Sequence, residues 1–181
     1  MNQALADLVC SRFGEDIWEE IIARAGVEDD EFIPMEPYPD EITDALVGAA
    51  SEVLDLTPSQ VLEAFGAFFV EFTGRHGYGQ LFDQSGETVR GFLCNLNRLH
   101  AQIQLTFPGL RPPRMDVEDI DEEKFLLHYH STREGLAPMV LGLLQGLALI
   151  KNEIVAAELQ QTRAEHGHDV FLVRVCARQA A

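Results

Sequence analysis

His100 stands on an apolar helical stripe. In "ETVRGFLCNLNRLHAQIQL" the residues Phe92, Leu93, Leu96, His100 and Ile103 recur at spacings of three, four and seven, so a helix places them on one face. A buried imidazole has one donor and one acceptor nitrogen to satisfy, and leucine and isoleucine neighbours satisfy neither. Two outcomes are open. Either the ring is a core histidine bonded to a backbone carbonyl or a buried water, or a metal takes its lone pair, for which neutral imidazole is a common ligand.

A second group lies about thirty residues further on. In "FLLHYHSTR" an extended backbone points alternate side chains the same way, which aligns Tyr129, Ser131 and Arg133. Phe125 and Leu127 begin that face as a half-buried strand does, and then a phenol, a hydroxyl and a guanidinium replace the apolar residues. Three aligned donors suit a buried anion, because guanidinium binds a carboxylate through a bidentate, charge-assisted pair. Taken alone, the pattern also describes a solvated strand end. The two groups together fit one ligand. Haem is an apolar disc with iron at its centre and two carboxylates on one edge; its site needs an axial ligand in an apolar wall and donors at the rim.

These groups need a helix for the histidine and a strand for the donors. "QALADLVCSRFG" and "EDIWEEIIARAG" have helical spacing and stop near Gly14 and Gly26, each suited to a left-handed C-cap. "EFIPMEPYPD" is a proline-rich loop and "EITDALVGAASEVL" a third helix. The next start is well marked: Thr57 as N-cap, Pro58 at the first helical position and Gln60 closing a capping box, with an end near Gly74. "HGYGQLFDQSG" connects to the helix of His100, and "FPGLRPPRM" ends that helix. Beyond it "MDVEDIDEEKFLLHYHS" and "HDVFLVRVCAR" have strand character, "EIVAAELQQ" is a weaker strand, and "REGLAPMVLGLLQGLALIK" is an apolar helix. The layout is α+β: a helical lobe over 1–60, then a lobe over 61–181 with the histidine helix, a small antiparallel sheet and one covering helix, the ligand lying between the lobes.

Composition narrows the class. A formal charge of −17 with only 13 basic residues argues against nucleic-acid or anionic-membrane surfaces. The N-terminus lacks signal-peptide character and no stretch suits a membrane span, which predicts a cytoplasmic protein. Cys10, Cys94 and Cys176 lie far apart, and each is expected to be a small buried hydrophobe.

The motif, its distance from His100, and the stretches "LVGAASEVL", "AFGAFFVEFT", "FPGLRPP" and "STREGLAPMVLGLL" resemble the H-NOX family, the haem nitric oxide/oxygen binding domains of bacterial sensors and soluble guanylate cyclase. The family's YxSxR motif stands here as Tyr129, Ser131 and Arg133, and its proximal histidine matches His100. The resemblance implies haem b as cofactor and assigns Pro113 to the proline that presses on the haem. It implies a sensor without catalytic activity that signals by release of the proximal histidine to a separate histidine kinase or cyclic-di-GMP enzyme; a monomer is expected.

Two departures stand out. Members commonly begin with a Met-x-Gly stretch, and this chain begins "MNQALADL". Some bacterial members carry a zinc site of several cysteines and a histidine, whereas His166, His168 and Cys176 lack that spacing, so no zinc is expected. His166 and His168 read as solvated turn residues, His76 as loop, and His128 and His130 as the outward face of the motif strand. Oxygen-binding members place a tyrosine on the distal helix, where Met139 stands here. Pro138, Leu141, Leu143, Phe68 and Phe69 are no donors either, and Tyr78 reads as a surface turn. The resemblance therefore implies binding of NO and CO, and not of O2. A haem peroxidase or oxygenase needs a distal acid/base pair that these apolar helices lack. A haem-free acidic interaction module explains the charge but neither His100 nor the aligned donors.

Overall fold

Local chemistry sets the first helix ends. In the computed structural model, which describes residues 1–28, 32–33, 36, 38–74, 82 and 84–178, α1 spans Asn2–Phe13 and α2 Glu15–Ala25. Gly26 ends α2 in the left-handed region, at φ 66° and ψ 30°. Gly14, between α1 and α2, has φ 95° but ψ 164°, so it is a hinge reserved for glycine rather than the left-handed cap expected of it. α3 covers Asp40–Leu54, and α4, Pro58–Thr73, starts with the Thr57/Gln60 capping box and Pro58 as read from the sequence. His76 and Tyr78 lie outside the described residues.

After α5, Val89–Thr106, the chain forms β1, Arg114–Asp119, and β2, Lys124–His130. Then follow α6, Ala137–Ile150, β3, Glu153–Gln161, the single turn α7, Arg163–His166, and β4, Asp169–Ala177. The strands make one antiparallel sheet in the order β1-β2-β4-β3, so β2 is interior and β1 and β3 are edges. Period-two alternation turns Phe125, Leu127 and Tyr129 of β2, with Phe171 and Val173 of β4, towards the core. The buried residues form one continuous cluster that joins α1–α4 to α5, α6 and the sheet.

The closest approach in this core is the crossing of α4 and α6. A Cβ added at Gly66 would collide with the Met139 carbonyl, one at Gly142 with the Glu63 carbonyl, and one at Gly146 with the Ala67 carbonyl. Three absent side chains let two backbones touch. No single described helix is long and apolar enough to cross a membrane. The cysteines depart from expectation: Cys10 is half-buried, and Cys94 and Cys176 are exposed. Cys94 follows the buried Phe92 and Leu93 but has turned out of their face, and Cys176 lies opposite the exposed Ile154 at the end of the edge pairing.

Candidate functional site

α5 carries His100, and its position is finer than the stripe suggested. Val89, Phe92, Leu93, Leu96 and Leu99 are the buried residues of α5, with Ile103 partly buried against the same core, so Leu99 joins the stripe beside His100. His100 stands at its edge, half-buried, beside a cleft lined by Asn97, Gln104, Pro112, Pro113 and Arg114. Its Nδ1 lies 3.0 Å from the Pro113 carbonyl oxygen. A carbonyl only accepts, so Nδ1 carries the proton and Nε2 keeps its lone pair. Burial pushes the imidazole pKa below its ordinary value, partly opposed by that hydrogen bond. A carbonyl on one nitrogen is common to core and metal-ligating histidines, and the unpartnered Nε2 lone pair is what a metal would use.

The rest of α5 is tied to the sheet by polar side chains. At its start the Thr88 hydroxyl accepts from the Gly91 N–H at 3.0 Å, and Glu153 of β3 accepts from the Val89 N–H at 2.7 Å. Arg90 donates to the carbonyls of Asp121 and Glu122 at 2.9 and 3.0 Å, and lies over the Phe125 ring. One turn before His100, Asn97 makes a reciprocal pair with the Met115 backbone, donating to its carbonyl at 2.6 Å and accepting from its N–H at 2.9 Å. Met115 pairs in register with Tyr129. Thus Asn97 and the Pro113 carbonyl fix His100 against the same sheet end that carries the donor motif. Nothing in the sequence singled out Asn97; its signal was the three-residue offset from His100.

The motif is part strand and part turn. β2 ends at His130, and only Tyr129 takes its orientation from the pleat, with its side chain buried. The Ser131 hydroxyl accepts from the Arg133 N–H at 3.0 Å, and this local turn rather than extended alternation brings Arg133 round. Burial raises the Tyr129 phenol pKa, opposed by its hydrogen bond with Ser131 and by the charges of Arg133 and Arg163. Arg133 is poorly satisfied. Its Nη1 rests on the Met1 thioether at 2.9 Å, a weak acceptor. Its buried Nε lies 2.7 Å from Asp40 Oδ1 but at an angle that makes no hydrogen bond, so we read the contact as charge pairing only.

Arg163, at the start of α7, braces this turn from behind. Its Nη1 donates to the Ser131 carbonyl at 2.8 Å and reaches the Arg133 carbonyl at 3.4 Å, while its own N–H is held by Asp169 at 2.7 Å. It sits thirty residues beyond the motif in a different element, out of reach of any spacing argument. Across the core Met139 is buried at the start of α6 against Gly66. Phe68, Phe69, Leu141 and Leu143 pack around the same core, partly buried.

The donor set fits a haem. His100 offers a lone pair to a metal, and Arg133, paired with Asp40 by charge alone and with Nη1 resting on a thioether, has donors left for a further carboxylate. An unpartnered imidazole nitrogen and a guanidinium with unused donors on an α+β domain are compatible with a haem-binding domain. The chain belongs to the Haem-NO-binding family, whose sequence pattern matches residues 1–159; H-NOX domains are haem-based gas sensors. Among relatives, the soluble guanylate cyclases gcy-32 and gcy-35 of Caenorhabditis elegans are 32% and 30% identical to it, over 82% and 96% of this chain. Those alignments span 22% and 27% of the two cyclases, so this chain corresponds to about a quarter of their length. An H-NOX protein from S. oneidensis in the Fe(II)NO ligation state superposes with a TM-score of 0.84 over 97% of both chains at 17% identity. An oxygen-binding H-NOX domain in its oxygen complex does so with a TM-score of 0.78 over 99% of this chain and 96% of its own, at 18% identity. At these identities the likeness is one of fold.

Proposed function

We propose that this chain senses nitric oxide at a ferrous haem b held between segments 1–60 and 61–181. When bound, the haem supplies an iron that takes NO or CO reversibly. His100 holds that iron through Nε2. Arg133 would bind the carboxylates with Tyr129 and Ser131, and Pro113 and Met139 would line the site. The observation that supports this reading is that Nε2 of His100 has no hydrogen-bond partner among the described residues while Nδ1 is held by the Pro113 carbonyl, so the lone pair a core histidine would satisfy is left for a metal.

Selectivity rests on what Met139 and its neighbours lack. Bound O2 is held much better when a distal side chain donates to it, and Pro138, Met139, Leu141, Leu143, Phe68 and Phe69 have no side-chain donor. NO and CO need none. The proposed signal is release of His100 Nε2 when NO is bound: α5 would keep its ties through Arg90, Asn97 and the Pro113 carbonyl and would shift about them. The domain has no catalytic activity of its own in this reading. It is cytoplasmic and monomeric, and a separate histidine kinase or cyclic-di-GMP enzyme reads the movement.

The visible spectrum of the ferrous protein, first in air and then under NO, tests the proposal. We expect no stable O2 complex in air and a five-coordinate NO complex. A stable O2 complex overturns the selectivity, and a lasting six-coordinate NO complex removes the trigger. His100→Gly should bind haem in the ferrous state only as well as added imidazole replaces the missing ring; an unchanged spectrum without imidazole removes the ligand assignment.

A further inference from the structure

The outer face of the sheet carries a histidine cluster that the haem reading leaves unused. Alternation along β2 turns His128 and His130 away from Tyr129 and the core. Tyr129 pairs with Asp169, which brings His168, just before β4, opposite His130. His168 is no solvated turn residue. Its Nε2 lies 2.9 Å from His128 Nδ1, and its ring stacks on that of His130 with centroids 4.2 Å apart. From β1, Glu118 Oε2 lies 3.0 Å from His128 Nε2, and Asp116 Oδ2 lies 3.6 Å from His130 Nε2.

Glu118, as a carboxylate, accepts the proton of His128 Nε2, so His128 Nδ1 carries a lone pair. That lone pair faces His168 Nε2, and a single proton lies between the two nitrogens. Two imidazole nitrogens on one tetrahedral ion, each about 2.0–2.1 Å from it, stand only a few tenths of an ångström further apart than this pair. An ion is held by both rings once the shared proton moves to His168 Nδ1, so that His168 binds as its other neutral tautomer, and the two rings tilt towards a common point. The carboxylate on the far nitrogen is the outer-shell support that metal-ligating histidines use. Among the described residues no three donors converge on one point as they stand. The third ligand is His130, which must turn off the stack, and its place two residues from His128 on one strand allows it.

We propose that His128, His168 and His130 form a binding site for a divalent transition ion of the imidazole-preferring kind, such as Zn2+ or Cu2+, on the back of the motif strand. His128 and His130 are reachable, with side chains 22% and 41% exposed, and Asp116 and Glu118 favour a cation there. The ion clasps β2 to β4 directly behind Tyr129.

Isothermal titration of the untagged, haem-loaded protein with ZnCl2 and with CuCl2 at neutral pH tests the site. We expect one ion per chain, abolished in His128→Ala and in His168→Ala and weakened about tenfold in Glu118→Gln, which alters only the support. The Soret band should be the same in all variants, which separates this test from the haem assignment. Absence of one-to-one binding overturns the proposal, and so does binding that survives both histidine substitutions.

Discussion

α5 and the α4/α6 crossing hold opposite sides of the core by opposite means. α5 is fastened by discrete polar contacts from Arg90, Asn97 and His100, each a directional bond that breaks independently. α4 and α6 are fastened by backbone lying on backbone at Gly66, Gly142 and Gly146, with one exposed side-chain bond, Gln145 to Glu63 at 2.6 Å, added at the surface. A packed interface of the second kind resists graded movement, whereas polar tethers can be released singly. His100 thus sits on the helix held by separable tethers, and Met139 on the helix held by backbone contact.

The largest effect should come from filling the α4/α6 crossing. Gly142→Ala puts a Cβ onto the Glu63 carbonyl, and neither backbone can yield alone, so we expect a loss of about 3 kcal/mol or more in denaturant unfolding of the haem-free protein. A loss below about 1 kcal/mol would mean that the crossing adapts, and the contrast with α5 would fall.

Arg133→Ala should weaken haem binding by about 3 kcal/mol, because a buried propionate loses its charge partner. The haem-free protein should barely notice, since Arg133 now meets only a thioether and Asp40, a 55% exposed partner whose pairing is screened by solvent. Haem affinity by competition and apoprotein unfolding, measured side by side, check both halves of this expectation.

Asn97→Ala removes two hydrogen bonds and strands the N–H and carbonyl of Met115, for about 2 kcal/mol in apoprotein stability. Asn97→Asp keeps the acceptor for the Met115 N–H but sets a carboxylate oxygen against the Met115 carbonyl and Asp116, so it should lose at least as much. If Asn97→Ala is neutral, α5 is held by packing after all.

The smallest effect is one of pH. The folded-state pKa of His100 is lowered, so the folded protein disfavours its protonation. That contribution to stability is complete above the ordinary histidine pKa of about 6.5 and is lost as pH falls through it. Apoprotein stability should therefore decline on acidification from neutrality, with a shallower decline in His100→Gln. His130 titrates with the same sign, so His130→Gln serves as the control. An unchanged slope in His100→Gln would mean that its ring is solvated.

What the sequence by itself determined is whatever depends on neighbours in the chain or on a repeat of two or of three and four. The Thr57 cap, the strand alternation ending at Tyr129, the helix of His100 and the spacing between the two groups are all of that kind, because capping and periodicity are local physics. Only the tertiary structure decided which edge of the stripe His100 occupies, since Leu99 competes for the same core. It also decided that Arg163 props the Ser131 carbonyl, that Asn97 grips Met115, that Cys94 and Cys176 face solvent, and that His168 meets His128. Each of these depends on how far apart two elements settle and how they are rotated. That is set by three glycines letting α4 and α6 touch and by the order of strands in one sheet, and no spacing within a single segment encodes it.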